Sequence, residues 1–97
     1  MYTAIVTYTP DPALSEADVQ ARFEASTPLF AGMPGLLRKY FCYDALRRQG
    51  TSIYIWENRE AAEACYGSEQ FQMGFRGAFG CAPKIEILEV RHLVDNG

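Results

Sequence analysis

The chain has 97 residues, of which 48% are hydrophobic and 13% aromatic, and it carries a formal net charge of −3. This length allows one domain around one core, residues 1–97, and the apolar content excludes a disordered chain. A pI near 5.0, with no basic run longer than the pairs Arg38-Lys39 and Arg47-Arg48, argues against nucleic acid, which needs clustered cations, and against an anionic membrane surface.

Residues 2 to 8, YTAIVTY, are β-branched and aromatic, and Pro10-Asp11-Pro12 ends them, which predicts the first strand. Ser15 is a good N-cap with Asp18 as its capping-box partner, and Val19, Phe23 and Ala25 to Leu29 carry a helical stripe to about Phe30. Pro28 falls inside that stripe and predicts a kink or break just before it. Gly32 and the turn Pro34-Gly35 lead into a second strand over 36 to 44, LLRKYFCYD.

Ala45 to Gly50 read as a polar connection and TSIYIWE, 51 to 57, as the third strand. Asn58 caps a helix through Ala61, Ala62, Ala64 and Cys65, closed by Gly67, and Ser68 restarts it past Phe71 and Phe75 towards Gly80. KIEILEVRHLV, 84 to 94, is the fourth strand. The order β-α-β-β-α-β predicts an α+β, ferredoxin-like fold, with a four-stranded antiparallel sheet and the helices on one face.

Three of the strands are apolar on both faces. Tyr40, Phe41, Cys42 and Tyr43 follow one another, Ile53 and Ile55 oppose Tyr54 and Trp56, and Ile85 and Ile87 oppose Leu88 and Val90. Helices cover only one face, so the other is expected to meet a second copy in a face-to-face homodimer. The three cysteines, Cys42, Cys65 and Cys81, are odd in number and lack C-x-x-C spacing, as expected of a reduced, cytoplasmic chain. No signal peptide is expected, because Met1 leads directly into a strand without a basic segment, and no apolar stretch approaches the ~20 residues of a membrane span.

The run Pro34-Gly35-Leu36-Leu37, then Ser52-Ile53-Tyr54-Ile55-Trp56, then Arg59-Glu60-Ala61-Ala62 resembles the YdhR-type monooxygenases of the dimeric α/β-barrel superfamily, which also holds the antibiotic-biosynthesis monooxygenases. The similarity is one of pattern and extends from the first strand to the fourth. Thr51-Ser52 stand where that family often has two glycines, a departure confined to the hairpin. The resemblance implies a dimer whose two sheets form a barrel and a small-molecule pocket in each subunit. It leaves the reaction open, because relatives include oxygenases, isomerases and dehydratases.

Motifs that would name a cofactor are missing, and none is expected. Glycines 74, 77 and 80 are not spaced as a dinucleotide-binding loop, and read as a helix face close to the sheet with a stop at Gly80. One histidine and no thiol pair argue against a transition-metal site within one subunit, which would have to rely mainly on carboxylates; relatives of this fold bind haem, for which His92 would be the ligand. His92 is otherwise either an edge or dimer-contact histidine, or a general base or hydrogen-bond donor at the pocket. Of Arg38 and Lys39, on opposite faces of one strand, one must point towards a buried face and needs a carboxylate, a dimer partner or an anionic ligand, and an ion pair with Glu57, Glu86 or Glu89 is the expected solution.

The expected site lies between sheet and helices. His92 and Arg38 are its catalytic candidates, and Tyr40, Tyr54, Trp56, Phe71 and Phe75 its substrate-binding walls. Such a kit suits a cofactor-independent monooxygenase that holds a phenol or quinol ring, stabilises its anion and excludes water. It suits equally a non-catalytic dimeric small-molecule-binding or stress-response module. An RNA-binding domain of this topology is disfavoured by the charge and by the absence of a basic-glycine-aromatic signature around Tyr54.

Overall fold

The computed structural model describes residues 1–97. Its elements are β1 (Tyr2–Tyr8), α1 (Glu16–Phe30), β2 (Leu36–Asp44), β3 (Gln49–Trp56), α2 (Arg59–Tyr66), α3 (Glu69–Phe79) and β4 (Lys84–Glu89). The four strands form one antiparallel sheet in the order β2-β3-β1-β4. This is the predicted α+β, ferredoxin-like topology, with β1 between β3 and β4. No helix is long and apolar enough to cross a membrane.

Local chemistry sets the element ends. Ser15 and Asp18 form the expected capping box on α1, each side chain accepting from the other's backbone N–H at 3.1 and 2.9 Å. Asn58 caps α2 and Ser68 caps α3, so the second helical segment is two helices that meet at Gly67. α1 runs through Pro28 without the break that was one of the two expected outcomes. The carbonyl that proline deprives of a donor belongs to Glu24, which is exposed and can turn to water.

The β2–β3 hairpin is tighter than predicted. Asp44 pairs with Gln49, and its carboxylate accepts from the N–H groups of Leu46 and Arg47, so β3 starts two residues early. β4 ends at Glu89 rather than reaching residue 94, because β1 offers no partner beyond Tyr2 and Met1. Residues 90–97 have no regular structure, and 91–97 are exposed.

One sheet face lies under the helices. Ala4, Val6 and Tyr8 of β1 and Ser52, Tyr54 and Trp56 of β3 are buried there against Val19, Phe23, Ala62, Tyr66 and Phe79. Two glycines allow this closeness. A Cβ on Gly50 would collide with the Tyr8 ring, and one on Gly35, held at φ +82°, would come within 2.6 Å of the Ala61 Cβ. The opposite face carries Ile5, Ile53 and Ile55 in its middle, with Tyr40 and Leu88 flanking them 48% and 44% exposed. Of the apolar residues on β4, Ile85 and Ile87 pack against the core under the helices.

Candidate functional site: an aromatic cavity holding one lysine

Between α1, α2, α3 and the helix-covered sheet face is a cavity of about 680 Å³, within the range of small-molecule sites. α1 contributes Leu29 and Phe30, β2 contributes Lys39 and Phe41, and α3 contributes Phe71 and Phe75. Phe71 and Phe75 are one helical turn apart, with ring centroids separated by 5.8 Å, and Phe75 meets Tyr8 edge-on at 4.7 Å. Tyr54 and Trp56 form the floor, stacked at 5.9 Å with 4° between their planes.

The floor is deeply buried: Trp56 is 0% and Tyr54 1% exposed. Trp56 therefore supports the cavity from beneath, and its indole N–H donates to the Tyr66 hydroxyl at 3.1 Å. Burial pushes the Tyr54 and Tyr66 phenols far above their ordinary range and raises Tyr8 to about 12, against the opposing pull of Ser52. None of the three is a proton donor to spare near neutral pH.

Lys39 and Arg22 are the cations of the cavity wall, and Lys39 is the one set among its rings. Its Nζ lies 3.5 Å from the centroid of the Phe30 ring, 4.0 Å from that of Phe41 and 4.6 Å from that of Tyr54. No carboxylate is within ion-pair distance of it, since all three ion pairs of the molecule involve surface arginines. Ring faces offer partial compensation for the lost water, and desolvation still dominates, lowering the lysine to about 7. The Cys65 thiol, also at the cavity, is pushed up by burial and drawn slightly down by Lys39.

Tyr54, Trp56, Phe71 and Phe75 thus come together at the expected place. Three of the expected residues lie elsewhere. Arg38 and Tyr40 are on the opposite sheet face, exposed, with the Arg38 guanidinium 3.4 Å from the Tyr40 hydroxyl to which it donates. His92 lies past the end of β4 and is exposed. The alternation of β2 assigns Lys39, Phe41 and Tyr43 to the helix side, with Lys39 opposite the buried Tyr54. The cation that a buried face demanded is therefore Lys39, the neighbour of the one expected. Gly74 is a second correction. It lines the cavity, and a Cβ there would meet nothing within 4 Å, so this glycine leaves space instead of allowing close approach to the sheet. No three His, Cys, Asp or Glu side chains converge anywhere in the fold.

No family model matches the sequence, and no curated protein matches it. Solved structures do match its fold. SnoaB, a cofactor-independent oxygenase from Streptomyces nogalater, is similar with a TM-score of 0.74 at 16% identity, over 96% of this chain and 95% of that one. The ActVA-Orf6 monooxygenase of Streptomyces coelicolor, solved with the ligand Nanaomycin D, gives 0.71 at 18% identity, over 99% and 92%. A Deinococcus radiodurans protein, provisionally described as an antibiotic biosynthesis monooxygenase, gives 0.74 at 12% identity, over 98% and 97%. At these identities the likeness establishes a shared fold along the whole chain, the ferredoxin-like fold of antibiotic-biosynthesis-monooxygenase-type proteins.

Proposed function

We propose that this chain is a cofactor-independent monooxygenase for small planar aromatic molecules of the phenol or quinol class, working as a homodimer. One observation carries the reading: a lysine without a carboxylate partner stands among aromatic rings in a cavity of ligand size. A phenol gives electrons to O₂ readily only after losing its proton. The Lys39 amine, poised at about 7, can take that proton, and the resulting ammonium then holds the phenolate.

The chemistry balances without an outside reductant. The phenolate passes one electron to O₂, the radical pair joins at a ring carbon, and that carbon then loses its proton as the O–O bond breaks. Phenol and O₂ become quinone and water. The cavity's part is to hold the ring flat against Phe71 and Phe75, keep water away and stabilise the anion. The activities of the S. nogalater and S. coelicolor proteins, which share this fold, favour the reading. A place in the YdhR-type branch is part of the proposal. It rests on the Pro34-Gly35 turn seated against Ala61 of the Arg59-Glu60-Ala61-Ala62 helix start.

Oxygen uptake on a panel of phenols and quinols, with no metal or flavin added, should exceed the protein-free rate. Background uptake with the same ligands still bound would leave a binding module as the function. Access to the cavity gives a second test. Gly74→Leu should weaken aromatic ligands by at least about tenfold, while a leucine in mid-helix raises thermal stability slightly, by about 0.5–1 kcal/mol. Unchanged ligand affinity in this variant, measured by calorimetry, would place the ligand elsewhere.

The dimer is proposed through the open sheet face, where Ile5, Ile53 and Ile55 form an apolar centre and Arg38, Tyr40 and Leu88 would join the interface. Sedimentation should give twice 10.9 kDa at micromolar concentration. Ile53→Asp should shift it to the monomer and lower the melting temperature together, because one buried unpaired carboxylate per subunit costs several kcal/mol. A monomeric parent protein would overturn the arrangement.

A further inference from the structure

We propose that Lys39 also captures carbonyl compounds, forming a reversible imine with aromatic aldehydes that enter the cavity. This activity is separate from the oxygen chemistry and needs no O₂. It rests on three features of the cavity. Lys39 is half-buried in the wall of a cavity of about 680 Å³, with its amine against the Phe30 and Phe41 rings. No acidic side chain holds it as an ammonium ion, since Arg22, Tyr8, Tyr54 and Cys65 are the other titratable groups of the wall. Rings approach it from α1, β2 and β3, so an aryl aldehyde that stacks on the same walls brings its carbonyl to the amine.

Desolvated lysines in apolar pockets are the ones that form Schiff bases, because the neutral amine is the nucleophile. With its acidity at about 7, a large share of Lys39 is neutral at physiological pH. An ordinary lysine near 10.4 has only about one amine in 2,500 neutral at pH 7. In the step itself, the amine lone pair attacks the carbonyl carbon and the nitrogen gives a proton to the carbonyl oxygen. The carbinolamine then loses its hydroxyl and the second nitrogen proton as water, leaving a C=N bond. An ortho-hydroxy aldehyde fits best. Its own phenol donates to the imine nitrogen, supplying the partner that this part of the cavity lacks.

The chain contains its own comparison, because Lys84, exposed on β4, is its only other lysine. The protein should be incubated with 2-hydroxy-1-naphthaldehyde at neutral pH under nitrogen, reduced with borohydride, digested and mapped by mass spectrometry. We expect the reduced adduct on Lys39 in at least about tenfold excess over Lys84 and the Met1 amine, as a desolvated, largely neutral amine predicts. Lys39→Arg should lose that adduct and keep the minor ones. Equal labelling of the three amines, or none on Lys39, would overturn the proposal. Because oxygen is excluded, trapping on Lys39 alongside failed oxygen uptake would sink only the oxygenase reading, and the reverse result only this one.

Discussion

Replacing Lys39 by methionine should make the protein more stable and less capable at once. Methionine keeps the unbranched stem that fills the space between Phe30 and Phe41 and removes the amine that has no carboxylate partner. The lysine's depression from 10.5 to about 7 sets a ceiling of roughly 5 kcal/mol on the cost of its charge, at about 1.4 kcal/mol per unit. The head group is not fully enclosed, so a gain of about 1–3 kcal/mol at pH 6 to 7 is the realistic expectation. Turnover and affinity for anionic ligands should fall by two or more orders of magnitude if the amine is both base and counter-ion, in line with the usual ~10²–10⁴-fold contribution of a positioned base.

The pH dependence carries its own sign. Below about 7 the folded and unfolded chains both hold the lysine proton, and the cost of the buried charge is present in full. Above about 7 the unfolded chain holds a proton that the folded chain has released, so stability rises with pH. The rise should slow from about 9, where Cys65 and Cys81, and then Tyr8, keep protons in the folded state that the unfolded chain gives up. Urea titrations between pH 6 and 9 should therefore show increasing stability for the parent and a flatter line for Lys39→Met. A parent flat over that range would show that the amine is solvated.

Trp56→Ala should cost about 3–5 kcal/mol, the range for emptying a large buried ring site, and a domain of this size can lose most of its stability that way. Three losses coincide at this position. The indole is fully buried, it is stacked on Tyr54, and its N–H satisfies the Tyr66 hydroxyl, which burial already keeps from ionising. Trp56→Phe keeps most of the ring and removes the donor, so it should cost about 1–3 kcal/mol, the price of a buried polar group left unpaired. Circular dichroism is the suitable probe, because Trp56 is the only tryptophan. If Trp56→Ala unfolded at the parent's urea midpoint, the floor would not be structural and the indole would instead be available to the ligand.

Element order, the helix caps at Ser15, Asn58 and Ser68, and the break near Gly67 were all legible in the sequence, because each depends on residues within a few positions of one another. The sequence also showed that Phe71 and Phe75 share one helical face, whereas the open sheet face it read as apolar mixes Ile5, Ile53, Ile55 and Leu88 with Arg38, Lys84 and Glu86. It could not orient β2. Period-two alternation tells the two faces of a strand apart only when one of them is polar, and Tyr40, Phe41, Cys42 and Tyr43 are apolar or aromatic on both. Tertiary structure decided the matter through the hairpin register, which sets Tyr43 against Gly50 and Lys39 against Tyr54, under the helices. The same step turned Arg38 and Tyr40 to the open face. His92 was lost to the site because β4 can pair only as far as β1 extends, a limit set by another strand's length and invisible in its own residues.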